Sequence, residues 1–302
     1  MKKFLTYLLC LGLLTGCGGN TDEPSDNSSN SIETNQTEAN KEESKEENKE
    51  KNDEENDEEN QKLSVSIEEQ VIVDQDGIIV TAKELKNDSF SELTFLIENN
   101  TDRNIIVQTE DVVVNGFMNE PLMSCNVASG KKANDKMTLN ETSLENAGIE
   151  AIKEISFKLK FLTDEFERLF ITDTITIKTK GAKSYTQEYD ESGNVLIDQD
   201  GIKIIEQGLT KEKNGVLLYI KNESGRKITI QSRDGSVNDF MCEPIFSSTV
   251  VDGARAVDDI YFFDLEINGI EKIEKFEHSF LIFDFDTNET LLESEPIVMT
   301  FE

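Results

Sequence analysis

Over several short stretches of this chain, hydrophobic residues fall at every second position. Ile155, Phe157, Leu159 and Phe161 alternate with Ser156, Lys158 and Lys160, and Ile175 and Ile177 alternate with Thr174, Thr176 and Lys178. A period of two puts one face of a strand in a core and the other in water. Residues 93–97 form a largely apolar run broken by Asn99-Asn100-Thr101-Asp102, and residues 105–107 and 112–114 read as two further short strands. Later stretches predict strands at 216–220, 228–230, 260–263, 280–285 and 297–301. Asp76-Gly77 and Asp200-Gly201 lie between apolar runs, as hairpin turns do. Only residues 142–147 suggest a helical turn, with a less clear counterpart at 264–268.

The pattern occurs twice. Ile72-Val73-Asp74-Gln75-Asp76-Gly77-Ile78 returns as Leu196-Ile197-Asp198-Gln199-Asp200-Gly201-Ile202. Asn115, Phe117-Met118 and Glu120-Pro121 return as Asn238, Phe240-Met241 and Glu243-Pro244, and Gly148-Ile149-Glu150 as Gly269-Ile270-Glu271. The offset drifts only from 124 to 121, which indicates tandem duplication of a domain and not a solenoid. The expected fold is all-β: two tandem immunoglobulin-like β-sandwiches at 63–182 and 183–302, each with roughly seven to nine strands. The polar stretch 181–194 links them, and its Tyr185 and Tyr189 are expected to cap one domain edge. Trp is absent, so the Cys–Trp–Cys signature of antibody domains is too.

The N-terminus follows a different logic. Met1-Lys2-Lys3 is a basic head, followed by an apolar run over residues 4–14 that is well short of the roughly 20 residues a spanning helix needs. It ends in Leu14-Thr15-Gly16-Cys17, which resembles the lipobox of bacterial lipoproteins. That resemblance implies a signal peptide at 1–16, a diacylglyceryl thioether on Cys17, and a chain held on the extracytoplasmic face of the cell membrane. Two or more acyl chains make such an anchor stable, where one alone is marginal. Residues 18–62 contain no aromatic residue and one large aliphatic, Ile32, so they cannot bury enough apolar surface to offset ordering and should be disordered. A flexible linker of about 45 residues has an r.m.s. span near 35–40 Å, and its charge extends it further.

Lys and Arg number 30 against 62 Asp and Glu, a formal net charge of −32. So acidic a chain is repelled by nucleic acid and by anionic membrane surfaces, and neither is expected as a partner. With Cys10 in the signal peptide and Cys17 lipidated, only Cys125 and Cys242 remain, one per half at non-equivalent positions. Neither half can then form an internal disulfide, and both thiols read as small buried hydrophobes. The only histidine, His278, falls where the first copy has Phe157, and reads as a strand-face residue. Asp74-x-Asp76-Gly77 and Asp198-x-Asp200-Gly201 open like calcium loops, but the twelfth positions are Leu85 and Leu209, which cannot ligate through their side chains. Turns are the better reading there, and Asn99 and Asn222 likewise read as turn residues after a strand. No catalytic, cofactor-binding or metal-binding residue is assigned, and no cofactor is expected.

The Asn115-x-Phe117-Met118-x-Glu120-Pro121 block and the Gly130-Lys131-Lys132-Ala133 turn, with their second-copy partners, resemble β-sandwich modules of exported lipoproteins from Gram-positive bacteria. The resemblance implies an extracellular sandwich and no particular activity. The leading expectation is a non-enzymatic, membrane-anchored surface protein whose heads bind a protein or envelope ligand, with the loops 115–121 and 238–244 as contact sites. The same loops could instead merely hold a strand crossover. A spacer without a specific ligand is the alternative, and an enzyme the least favoured.

Overall fold

The computed structural model describes residues 66–87, 90–181 and 183–301, so the expected signal peptide, Cys17 and the acidic stretch expected to be a linker lie outside the described residues. The first half runs β1 (Gln70–Gln75), β2 (Ile78–Asn87), β3 (Ser91–Asn99), β4 (Ile105–Val114), β5 (Phe117–Met118), β6 (Ser124–Val127), β7 (Lys131–Thr138), α1 (Glu141–Asn146), β8 (Glu154–Leu162), β9 (Arg168–Ile171) and β10 (Ile175–Lys178). The second runs β11 (Asn194–Gln199), β12 (Ile202–Leu209), β13 (Gly215–Asn222), β14 (Ile228–Val237), β15 (Phe240–Met241), β16 (Pro244–Ile245), β17 (Ser247–Val250), β18 (Arg255–Phe262), β19 (Lys275–Asp284), β20 (Thr290–Glu293) and β21 (Ile297–Thr300). The fold is an all-β sandwich architecture, as the alternation predicts.

In the first half the sheet β1-β2-β3-β7 faces a second sheet built on β4 and β8. The alternating residues of β3 and β8 meet between them, with the Phe95 and Phe157 rings edge to face at 5.8 Å. The second half repeats this: β11-β12-β13-β18 faces the sheet built on β14 and β19, and Phe262 meets Phe276 at 4.9 Å. Each half therefore fills its own core by the inward positions of two facing sheets. Asp76-Gly77 and Asp200-Gly201 form two-residue hairpin turns with positive φ at both positions, 52° and 81° in the first and 52° and 78° in the second.

Two expectations are corrected, and a third, the turn role of Asn99 and Asn222, is borne out and extended. Residues 105–107 and 112–114 are the ends of one strand, β4, whose register breaks between Glu110 and Val113 at a bulge where Asp111 has φ 53°. A bulge puts polar residues out of phase, so the sequence reads as an interruption. The halves contain ten and eleven strands among the described residues, because the two-residue arms β5, β15 and β16 are too short to leave a periodic signal. Asn99 and Asn222 end their strands but are fully buried: Asn99 Nδ2 donates to the carbonyls of Arg103 (2.8 Å) and Val127 (2.9 Å), and its Oδ1 accepts from Thr101 N–H (3.0 Å). Asn222 does the same with Arg226, Val250 and Ser224. Each amide pins a loop to the opposite sheet, beyond what a turn requires.

The helical turn at 142–147 appears as α1, capped by the Asn140 side chain accepting from Ser143 N–H. Its counterpart forms turns only. The offset between copies falls from 123 at Thr138 and Tyr261 to 121 at Leu144 and Leu265, so the second copy lacks two residues of that segment.

Candidate interaction surface

The two halves share one sheet. β5 follows β4 by a tight turn at Asn115-Gly116, and its Phe117 pairs in parallel with Arg255 of β18. The β10-β8-β4-β5 side of the first half thereby continues into β18-β13-β12-β11 of the second. The Arg255 N–H donates to the Gly116 carbonyl at 2.9 Å. Phe117 lies 2% exposed in a small apolar cluster with Ala147, Ile205 and Tyr219, while Val113 and Met118 pack against the second core.

Tyr189 closes the joint. Its ring lies 5.5 Å from that of Phe117, the Arg255 guanidinium sits 3.9 Å over its other side, and its hydroxyl donates to the Asn115 carbonyl at 3.2 Å. Arg255 Nε also donates to the Tyr219 hydroxyl at 2.9 Å. Burial pushes the Tyr219 phenol up to about 12, so it stays protonated. Gly116 is required here twice over: its φ is +90°, and a Cβ would meet the Tyr189 hydroxyl at 3.1 Å. Tyr189 thus bridges both halves, a correction to the expectation that it caps one edge; Tyr185 reaches only Gln187 of the linker, at 3.0 Å.

A second cross-link is ionic. Asp111, turned outward by the β4 bulge, accepts from Lys158 of its own half (2.9 Å) and from Lys227 of the other (2.6 Å). Burial alone would raise its carboxyl, but the two ammonium groups outweigh that and hold it below the usual value. Lys227 also lies 3.8 Å over the Phe285 ring.

The loops singled out from sequence therefore behave differently. Both asparagines hold backbone: Asn115 binds the Ala151 carbonyl (2.7 Å) and the N–H of Lys153 (2.8 Å), and Asn238 binds the Lys272 carbonyl (2.7 Å) and the N–H of Glu274 (2.9 Å). Both Asn-led turns thus fix a crossover, and the β5 arm makes a contact as well, with the chain's own second half. The β15 arm repeats its shape but lies open: Phe240 is 50% and Met241 75% exposed, and Ile245, Phe263 and Ile267 of the same half are exposed as well.

The remaining candidates lie in the cores. His278 is 1% exposed, stacked on Phe276 and edge-on to Phe280, with Nδ1 2.6 Å from the Ser232 hydroxyl. Its Nε2 has no hydrogen-bond partner, and burial lowers its pKa to about 4. Ser232 beside it was not legible, since 46 residues separate the two. Cys125 and Cys242 are buried free thiols; burial, then Asp135, pushes Cys125 up to about 12, and burial raises Cys242 as well. Sequence reasoning also missed a cleft of about 770 Å³ that gathers Lys153, Lys178, Lys180 and Lys183 beside Glu68 and Glu69. Lys178, Lys180 and Lys183 stand close together at the end of β10, but Lys153 comes from the segment before β8 and the two glutamates from the chain before β1.

No protein-family profile matches the chain, and no relative is found among curated proteins. Solved structures with a similar arrangement include a YadV chaperone, at 12% identity over 74% of this chain and 100% of that one, TM-score 0.24. A Salmonella enterica SafA pilin in complex with the SafB chaperone is similar at 11% identity over 70% of this chain and 89% of that one, TM-score 0.20. At such scores neither says what this chain does, and the fold assignment rests on its own strands.

Proposed function

We propose that this protein is a membrane-anchored, non-enzymatic binding protein of the cell envelope. Its two sandwiches form one body that presents the outer end of the second half to a protein partner. The observation that carries the reading is the contrast between the arms: Phe117 is buried in a protein contact, while its counterpart Phe240 is exposed with Met241 next to it. Adjacent exposed apolar side chains, as Phe240 and Met241 are in this arm, mark interaction sites where they form a contiguous patch. The non-enzymatic reading is supported by His278 and both thiols lying buried among core side chains, out of reach of a substrate.

The anchor is Cys17, proposed from the Leu14-Thr15-Gly16-Cys17 motif, with the acidic linker as a spacer that lifts the head from the membrane. Cys17→Ala is expected to abolish lipid labelling and release the protein from the membrane fraction; unchanged retention refutes the anchor. For the binding reading, the full chain and its Phe240→Glu/Met241→Glu variant are compared as baits on detergent-solubilised envelope. A stoichiometric partner lost from the variant supports it, and identical captures from both refute it.

A further inference from the structure

We propose that the β15 arm of one molecule docks on the outer edge of β7 in another copy of this chain, head to tail, repeating between molecules the joint that links the two halves. This rests on the binding reading and names its partner.

The duplication supplies both sides of the contact. On the donor side, the Val237–Phe240 pairing of β14 and β15 reproduces Val114–Phe117 of β4 and β5, so Phe240 occupies the place of the joint's anchor. On the acceptor side, the registers align strand for strand. Lys221 pairs Arg255 as Glu98 pairs Lys132, and Ile205 pairs Tyr219 as Thr81 pairs Leu96. Lys132 therefore stands where Arg255 receives the arm, and Leu96 and Thr81 replace Tyr219 and Ile205 beneath it. β7 ends its sheet, and beyond the Leu122–Thr138 bridge no strand among the described residues pairs with its outer edge. An uncovered edge is a ready template for another chain.

Charge favours the same pairing. The donor arm carries exposed Glu243, and the acceptor edge carries exposed Lys131 next to Lys132, whose ammonium already meets Glu98. Asp239 replaces Gly116 where no tyrosine covers the turn, and its carboxylate pairs with Lys275 of its own half at 2.8 Å. Because donor and acceptor are different surfaces, the contact is heterologous and joins molecules in series, closing into a ring only where the rotation between copies allows it. Leu96 and Thr81 offer less apolar surface than Tyr219 and Ile205, and no Tyr189 clamps the contact. Association is therefore weaker than the internal joint and suited to chains concentrated on one membrane.

The test uses the full chain carrying Lys132→Cys and Asp239→Cys, treated in membranes with a short thiol–thiol cross-linker. A ladder of dimers, trimers and larger species is expected, absent from the otherwise unsubstituted chain and reduced at least tenfold by adding Phe240→Glu. No ladder overturns the proposal, as does a ladder that survives Phe240→Glu. Dimers from Lys132→Cys alone overturn it in favour of edge-to-edge pairing. An adduct with a different protein overturns it too, but leaves the binding reading standing, which the bait comparison tests separately.

Discussion

The β5 and β15 arms come from one duplicated stretch, and the structure gives them opposite environments. Phe117 is sealed by Tyr189, Tyr219 and Arg255, whereas Phe240 is half exposed. The same local sequence thus serves as mortar in one half and as an open end in the other. What differs is the surroundings: a linker bearing Tyr189 precedes the second half, and the second half's β18 lies against the first arm. A motif repeated within one chain can be a contact without both copies being occupied.

Truncating each arm separates the two environments most strongly. Phe117→Ala removes a buried ring and is expected to cost about 3–5 kcal/mol of unfolding free energy, while Phe240→Ala stays within about 0.5 kcal/mol. Denaturant unfolding of the full-length variants reads both, and equal losses would place the two rings in the same environment.

The histidine offers a second contrast, His278 against Phe157. A neutral imidazole buried with its pKa lowered to about 4 stabilises the fold fully above its unfolded value near 6.5. That stability drains away as pH falls from 6.5 toward 4, since the unfolded chain binds the proton more readily. The span of about 2.5 pH units corresponds to about 3 kcal/mol. His278→Phe, which installs the residue the first half has at 157, combined with Ser232→Ala to remove the stranded hydroxyl, should flatten this pH dependence. A dependence that survives the double variant assigns the acid sensitivity to other groups.

A third contrast sets Asp111 against its counterpart Asp234, both at strand bulges with φ 53° and 54°. Asp111 binds two lysines, one from each half, whereas Asp234 approaches only the Ser279 hydroxyl, at 3.5 Å. Asp111→Asn should therefore cost about 1–3 kcal/mol, and Asp234→Asn next to nothing, by the same unfolding assay. Smallest is Tyr189→Phe, which removes one hydrogen bond to the Asn115 carbonyl and should cost about 0.5–1.5 kcal/mol. A loss confined to that range with the ring packing intact separates the hydroxyl's share from the ring's.

Alternation at 155–161 and the Asp-Gly pairs were enough to place β8 and the hairpin turns, because period and turn chemistry are local. The duplication was legible for the same reason: it needs only the chain compared with itself. The joint was not. Phe117 reads as one aromatic in a polar loop, and its burial depends on Tyr219 and Arg255, more than a hundred residues away in sequence. Asn99 was legible only in part: the Asn-Asn-Thr-Asp run gives its turn, but its second acceptor, the Val127 carbonyl, lies 28 residues on. Local pattern shows which residues share a face; which faces meet is decided by contacts the pattern does not contain.

The central claim is that one arm is sealed and its twin is open. Hydroxyl-radical footprinting of the full chain at low protein concentration measures both in one sample. The structure predicts strong modification at Phe240 and Met241, with Phe117 protected and Met118, half-buried, modified less than Met241. Equal modification of the two arms would contradict it.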